Sequence, residues 1–206
     1  MTKEQVRQKI LDIGIIPVVR AKSAAQAIEI SHAVCEGGIP IVEVTMTVPG
    51  AVEVIHELVH SVGSKVLVGA GTVLDTDAAW RCLDAGAKFL VSPGFDRDTV
   101  ELANRQNVLI MAGGLTPTEV ITAWKAGSDF VKVFPCGNVG GPSYIKALKA
   151  ALPQIPMIPT GGVNLTTASQ FLEAGAAALG VGGDLVSGDV TETARKYVAA
   201  VQGARR

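Results

Sequence analysis

The chain has 206 residues, of which 48% are hydrophobic and 18% charged, and its net charge is −1. This length fits one large domain, and the apolar content is enough for a core well beyond the minimum that folding needs. Because the charge is near zero and no Lys/Arg run exceeds two residues, we expect neither nucleic acid nor an anionic membrane as a partner.

The N-terminal segment and the cysteines predict a cytoplasmic protein. The segment MTKEQVRQKILDIG mixes charged and apolar residues at helical spacing, which predicts a helix and lacks the apolar core of a signal peptide. No apolar run approaches the roughly 20 residues of a membrane-spanning helix. Cys35, Cys82 and Cys136 form no CxxC pair, which favours reduced thiols that pack in the core. Contact of Cys136 with a substrate is the alternative.

Eight short, β-rich apolar runs alternate with segments whose apolar residues recur at helical spacing, which predicts helices with one buried face. Apolar strands joined by helices favour a parallel sheet, and eight units in about 200 residues favour a single (β/α)8 TIM barrel over residues 1–206. An open doubly wound sheet is the alternative. The predicted strands are 15–20, 41–46, 65–72, 89–94, 109–114, 130–135, 157–162 and 178–183.

Residues that adopt left-handed backbone conformations are expected where helices end just before the next strand. The interval from one such residue to the next matches the length of one helix plus one strand. They are Gly37, Gly63, Gly86, Asn107, Gly127 and Gly175.

Lys132 is the lysine that stands inside a predicted strand, in the run FVKVFP. With side chains alternating across the strand, it shares a face with Phe130 and Phe134. Apolar surroundings disfavour an ammonium ion and favour the neutral amine that attacks a carbonyl. We therefore predict a Schiff-base nucleophile, with a buried salt bridge as the structural alternative.

Glu43 stands at the equivalent place in IVEVTM, and Arg20 ends the run IIPVVR. Active sites of such barrels lie at the C-terminal ends of the strands. We expect Lys132, Glu43 and Arg20 to converge there, with Glu43 transferring protons and Arg20 binding a substrate carboxylate. A structural ion pair between Glu43 and Arg20 is the alternative.

Two glycine turns follow the seventh and eighth strands, where barrels of this type commonly bind phosphate. They contain Gly161 with Gly162 and Gly182 with Gly183, whose backbone amides can approach an anion closely, and Asn164 is expected to cap the helix after the first turn. The GAGT turn (69–72) lacks the remaining glycine of a dinucleotide fingerprint, so no cofactor is expected.

The segment HELVH (56–60) matches the H-E-x-x-H pattern of zinc proteases. It falls on a helix that joins the second and third strands outside the predicted barrel, and His32 is the only further histidine. We therefore expect His56 and His60 on or beside the solvent face and no metal site. A zinc hydrolase remains the competing hypothesis.

These motifs, taken in order, resemble those of the bacterial aldolases acting on 2-dehydro-3-deoxy-phosphogluconate and 4-hydroxy-2-oxoglutarate. The resemblance implies a homotrimeric (β/α)8 class I aldolase that acts on small 2-keto acids and releases pyruvate. The motifs are VEVTMTVP (42–49), GAGTVL (69–74), VSPG (91–94), TPTE (116–119), KVFP (132–135), GGPSYIKALKAALP (140–153) and PTGGVN (159–164).

The resemblance implies that Lys132 forms the Schiff base and that Glu43 is the acid/base. It also implies that the pyruvate pocket is lined by Arg20, Thr72, Pro93, Phe134 and Thr160.

The chain departs from that family at three places. Thr47 stands where many relatives have an arginine, so Arg20 would carry more of the carboxylate binding. Ala112 and Gly113 replace a proline-glycine pair. Gly183, followed by Asp184, stands where relatives commonly have a hydroxyl that binds phosphate.

The resemblance implies 2-dehydro-3-deoxy-6-phosphogluconate as the substrate. The alternatives are 4-hydroxy-2-oxoglutarate, 2-dehydro-3-deoxy-6-phosphogalactonate and a non-phosphorylated 2-keto-3-deoxy acid. A non-catalytic barrel that binds a phosphorylated metabolite is a competing hypothesis, but such a barrel has no use for Lys132 and Glu43 inside strands.

Overall fold

The computed structural model describes residues 1–62 and 66–205, apart from the side chain of Val62. Within this part, eight strands alternate with helices. The strands are β1 Ile15–Val19, β2 Ile41–Thr45, β3 Leu67–Gly71, β4 Phe89–Val91, β5 Leu109–Gly114, β6 Phe130–Val133, β7 Met157–Pro159 and β8 Leu179–Val181. The helices are α1 Lys3–Ile13, α2 Ala24–Glu36, α3 Ala51–Val62, α4 Thr76–Asp84, α5 Arg97–Arg105, α6 Pro117–Lys125, α7 Pro142–Ala151, α8 Ala168–Glu173 and α9 Val190–Ala204.

The strands form one parallel sheet that closes on itself. Their order is β7-β6-β5-β4-β3-β2-β1-β8, and a parallel bridge between Thr160 and Gly180 joins the two ends. The strands are buried throughout, as strands covered by helices should be. The prediction of a (β/α)8 TIM barrel with an N-terminal helix is confirmed, and the open sheet is not observed.

The N-terminal helix α1 packs on the barrel end at which β6 begins. The capping box of Thr2 and Gln5 starts the helix. The guanidinium carbon of Arg7 lies 5.6 Å from the centre of the Phe130 ring. Lys3 forms a 2.9 Å ion pair with Asp129, the residue before β6. No helix in the described ranges is long and apolar enough to cross a membrane.

Four of the predicted helix ends have the expected left-handed backbone, at Gly86, Asn107, Gly127 and Gly175. The prediction for Gly37 is wrong, because its φ is −72° and the following Gly38 has the positive φ of 93°. The prediction for Gly63 and the start of the third strand at Lys65 lie outside the described residues.

Gly37 is instead required by the close approach of α2 to α9. A Cβ atom at this position would lie 2.4 Å from the Cβ of Ala194 and 2.7 Å from the carbonyl oxygen of Thr191. Both neighbours belong to α9, so the two helices can pack this closely only if residue 37 has no side chain.

We predict that Gly37→Ala lowers the free energy of unfolding by about 1–3 kcal/mol, the usual cost of overpacking a well-packed contact. Chemical denaturation measures this change. Gly203→Ala is the matched control, because a Cβ atom at Gly203 in α9 meets nothing within 4 Å. Equal stability of the two variants would show that α9 can move away from residue 37 without lowering the free energy of unfolding.

Candidate active site

The structure brings Lys132 and Glu43 together inside the barrel. The Lys132 Nζ atom lies 3.5 Å from Glu43 Oε1, and the two side chains are only 4% and 3% exposed. The same nitrogen is 5.6 Å from the centre of the Phe134 ring. The lysine and the carboxylate come from β6 and β2, and strand alternation directs both inward.

Glu43 Oε1 is a buried oxygen without a hydrogen-bond partner in the part of the chain that the structure describes. Its contact with Lys132 therefore has the distance of an ion pair but not the geometry of a hydrogen bond. Unsatisfied buried polar atoms are uncommon in folded proteins, and a catalytic role is one of the explanations for them. The carboxylate oxygen is thus available as a hydrogen-bond acceptor.

Gly71 provides the space that this carboxylate occupies. A Cβ atom at Gly71 would lie 2.6 Å from the carboxylate carbon of Glu43 and would overlap its Oε1 atom. The absence of a side chain at the end of β3 therefore lets Glu43 extend across the neighbouring strand. Our sequence analysis missed this role, although a glycine inside a strand commonly signals such a close approach.

Arg20 lies beside the two glycine turns, where it lines a cavity of about 300 Å³. Lys132 and Glu43 do not line this cavity, but Phe134 is one of its walls and also faces the lysine. Arg20 is exposed to solvent. The cavity is lined by Val18, Arg20, Phe134, Thr160, Gly161, Gly162, Val163, Asn164, Gly182, Gly183 and Asp184.

The two glycine turns differ in how strongly they require glycine. Gly161 and Gly162 have positive φ values of 83° and 78°, and a Cβ atom at Gly162 would lie 2.7 Å from Gly137 Cα. Gly182 and Gly183 have no positive φ, and a Cβ atom at Gly183 would meet nothing within 4 Å. The backbone conformation therefore requires glycine at Gly161 and Gly162, whereas it does not require glycine at Gly183.

Asn164 caps the turn that leads into α8. Its Oδ1 atom accepts hydrogen bonds from the backbone amides of Thr166 and Thr167, both at 3.0 Å. The prediction that Asn164 caps the helix is wrong, because α8 begins at Ala168 with Thr167 as its N-cap. Asn164 instead stabilises the turn before the helix.

Thr72 directly follows β3 and has a φ of 58°. A positive φ is a genuine outlier for a β-branched residue, and such strained residues cluster at functional sites. The conformation turns the chain at the end of the strand, next to Gly71 and hence next to Glu43. The pocket role that the family resemblance implies for Thr72 stays a prediction.

A second cavity of about 310 Å³ also has Phe134 in its wall, and Pro93 lines it. Our sequence analysis did not anticipate this cavity, because its walls come from segments that are distant in sequence. It is lined by Pro93, Gly94, Phe95, Gly113, Gly114, Leu115, Glu119 and Phe134.

The HELVH segment lies on α3, on the outside of the barrel. His56 and His60 are exposed as expected, and the His60 Nδ1 atom lies 2.7 Å from the carbonyl oxygen of His56. In residues 1–62 and 66–205, no three His, Cys, Asp or Glu side chains are grouped so that they could hold a metal ion.

Cys136 is fully buried. Its Sγ atom lies 3.7 Å from the carbonyl oxygen of Gly141, and burial raises the pKa of the thiol to about 12. A thiol with so high a pKa carries little of the reactive thiolate form near neutral pH. Cys136 therefore acts as a small packing residue.

Comparisons with known proteins identify related aldolases. A sequence profile of the family described as KDPG and KHG aldolase matches residues 6–201. The chain is 33% identical to the 2-dehydro-3-deoxy-6-phosphogalactonate aldolase of Escherichia coli K12, over 94% of this chain and 95% of that protein. It is 34% identical to the 2-dehydro-3-deoxy-phosphogluconate aldolase of Zymomonas mobilis, over 77% and 76% of the two chains.

A solved structure supports the same assignment. The KDPG aldolase of Legionella pneumophila, with pyruvate captured as a covalent carbinolamine intermediate, superposes with a TM-score of 0.82 at 26% identity, over 95% of this chain and 96% of that one. Together with the profile match over residues 6–201, these similarities show that the chain belongs to the KDPG and KHG aldolase family and is an aldolase, an aldehyde-lyase.

Proposed function

We propose that residues 1–206 form one catalytic domain, a class I aldolase that cleaves 2-dehydro-3-deoxy-6-phosphogluconate to pyruvate and glyceraldehyde 3-phosphate. The observation that carries this proposal is the buried contact of 3.5 Å between Lys132 Nζ and Glu43 Oε1. Burying two ionisable groups inside a barrel costs free energy unless they are paired or used. A barrel that only binds a phosphorylated metabolite would not need this pair.

Lys132 forms the covalent intermediate. Its neutral amine attacks the C2 carbonyl of the substrate and gives a carbinolamine. Glu43 then protonates the carbinolamine hydroxyl, which leaves as water while the nitrogen forms a protonated imine. The short distance between the two groups lets one carboxyl serve both proton transfers.

Glu43 also serves the bond cleavage. As a carboxylate it accepts the proton of the C4 hydroxyl, the C3–C4 bond breaks, and its electrons move into the imine to give an enamine with release of the aldehyde. Protonation of the enamine at C3 and hydrolysis of the imine release pyruvate and restore the amine of Lys132. The unpartnered Oε1 atom of Glu43 suits repeated exchange of a proton with the substrate.

The cavity at the glycine turns suits the phosphate. Backbone amides of Gly161, Gly162, Gly182 and Gly183 can donate to its oxygens, and Arg20 contributes a planar cation. Arg20 therefore serves the phosphate end in this proposal, rather than the carboxylate for which the sequence analysis assigned it. Thr72, Pro93, Phe134 and Thr160 line the pyruvate end.

The two relatives cited above are named for the phosphogalactonate and the phosphogluconate. These names support a phosphorylated six-carbon acid as the substrate. The phosphogalactonate, 4-hydroxy-2-oxoglutarate and a non-phosphorylated 2-keto-3-deoxy acid are thus the alternative substrates. The absence of a hydroxyl at Gly183 should reduce the preference for the phosphorylated acid over 4-hydroxy-2-oxoglutarate.

We also propose a homotrimer that acts in the cytoplasm. Exposed apolar side chains at Leu74 (61% exposed) and Trp80 (42%) offer contact area for a second copy. All three cysteines are free thiols, which agrees with a reducing compartment. Pyruvate and the 2-keto acid are then its small-molecule partners.

Lys132 should be the residue that borohydride traps in the presence of pyruvate. Reduction of the imine leaves a stable adduct that mass spectrometry can locate. We expect this adduct on Lys132 and its loss in Lys132→Ala. Equal labelling of Lys146 and Lys149 on α7, or an unmodified Lys132, would exclude the imine mechanism.

Gly71→Ala should reduce kcat by about 100-fold while the protein remains folded, because an added methyl group displaces the Glu43 carboxylate and shifts of about 1 Å can have this effect. Steady-state kinetics and thermal unfolding measure the two effects. Gly69→Ala is the comparison, since its Cβ atom would overlap the ring of Phe89 and should chiefly lower stability. Full activity of Gly71→Ala would contradict the role of the Glu43 position.

Gly183→Ser should increase the preference for the phosphorylated acid. A hydrogen bond to a charged group is worth about 1.5–3 kcal/mol, or roughly 10- to 150-fold in affinity, and the side chain fits because a Cβ atom at this position meets nothing within 4 Å. We expect a lower KM for the phosphorylated acid and little change for 4-hydroxy-2-oxoglutarate. Gly183→Ala adds the same carbon without the hydroxyl, so an equal effect of both substitutions would exclude a new hydrogen bond.

A further inference from the structure

The turn after β8 is tied to α9 by one hydrogen bond. Tyr197 in α9 is fully buried, and its hydroxyl donates to Asp184 Oδ2 at 2.5 Å. Asp184 is exposed and directly follows Gly183. A buried hydroxyl needs a partner because it cannot reach water, and Asp184 provides one.

Asp184 shares the cavity at the glycine turns with Arg20. These are the ionisable side chains of that cavity, and the ion pairs found within the described ranges do not include one between them. The hydrogen bonds of those ranges likewise leave the Arg20 guanidinium without a partner. Arg20 and Asp184 therefore line the same cavity without pairing with each other.

An arginine and a carboxylate that share a cavity tend to pair with each other, since the planar guanidinium matches a carboxylate as well as a phosphate. Such a pair would occupy the cation and reduce the positive potential that an incoming anion meets. The hydrogen bond from Tyr197 competes with that pairing, because it fixes one carboxylate oxygen against α9.

Tyr197 keeps its proton over the whole physiological range. Burial raises the pKa of its hydroxyl, and the hydrogen bond to Asp184 raises it further. The hydroxyl is therefore always a donor, and the contact with the carboxylate persists at any pH at which Asp184 is ionised.

We propose that Tyr197 is a positioning residue for phosphate recognition: it holds the Asp184 carboxylate on α9 so that Arg20 and the glycine amides stay open to the phosphate of the substrate. This inference rests on the proposed function. Tyr197 itself does not contact the substrate. Tyr197 acts through Asp184. Its loss should therefore weaken binding of the anion and leave the chemistry at Lys132 unchanged.

The test compares Tyr197→Phe with the wild-type enzyme on two substrates, 2-dehydro-3-deoxy-6-phosphogluconate and 4-hydroxy-2-oxoglutarate. An exposed ion pair changes a binding equilibrium by up to about fivefold. We expect the KM of the phosphorylated acid to rise by roughly that factor with kcat unchanged, and the KM of the short acid to stay the same. Inorganic phosphate is assayed as a competitive inhibitor of turnover of the short acid, and its inhibition constant should rise by the same factor.

The double variant Tyr197→Phe/Asp184→Asn separates positioning from a merely structural role. An amide carries no charge to pair with Arg20, so we expect this variant to recover the wild-type KM for the phosphorylated acid. Tyr144→Phe, the substitution of the only other tyrosine, is the matched control, because its hydroxyl donates to the carbonyl oxygen of Leu115 away from this cavity.

Three results would overturn the inference: an unchanged KM in Tyr197→Phe, an equal rise for both substrates, or a double variant no better than the single one. A wild-type enzyme that cleaves the short acid but is not inhibited by inorganic phosphate would instead overturn the proposed phosphate site. The failure of the positioning role and the failure of the proposed substrate are therefore distinguishable. Circular dichroism should show that Tyr197→Phe, which retains the buried ring, is folded.

Discussion

The buried contact between Lys132 and Glu43 is the constraint on which the rest of the site depends. Two ionisable groups in an apolar barrel need strands that hold them at a fixed separation, and β6 and β2 achieve this through the parallel sheet in which both lie. Packed strands deform little, so the Lys132 nitrogen and the Glu43 carboxylate keep this separation.

The glycines near this centre act through the volume that they leave unoccupied. At Gly71 the vacant space is taken by the carboxylate of Glu43, and at Gly180 a Cβ atom would lie 3.0 Å from the Cβ of Thr160, where β7 and β8 meet. Each polar side chain therefore lies across a neighbouring strand instead of being confined to its own. A methyl group added at Gly71 would therefore displace the carboxylate of Glu43.

Much of this architecture could be predicted from the sequence, because it depends on local patterns. The eight apolar runs and the inward faces of Lys132 and Glu43 follow from the alternation of side chains along a strand. The placement of Arg20 beside the glycine turns could not be predicted, since a residue just beyond β1 leaves the alternation that fixes strand side chains. Gly37 was assigned to a helix end because only the contact with α9, which is distant in sequence, reveals why it is glycine. The second cavity likewise arises from segments that no local pattern connects.

The unequal constraints on the two glycine turns have an evolutionary consequence. Gly161 and Gly162 cannot readily be replaced, because their backbone conformations exclude ordinary residues. Gly183 has no positive φ and has open space around it, so a single codon change there can add a side chain to the cavity without a steric clash. Among descendants of one ancestral barrel, position 183 can therefore vary while the turn after β7 stays glycine.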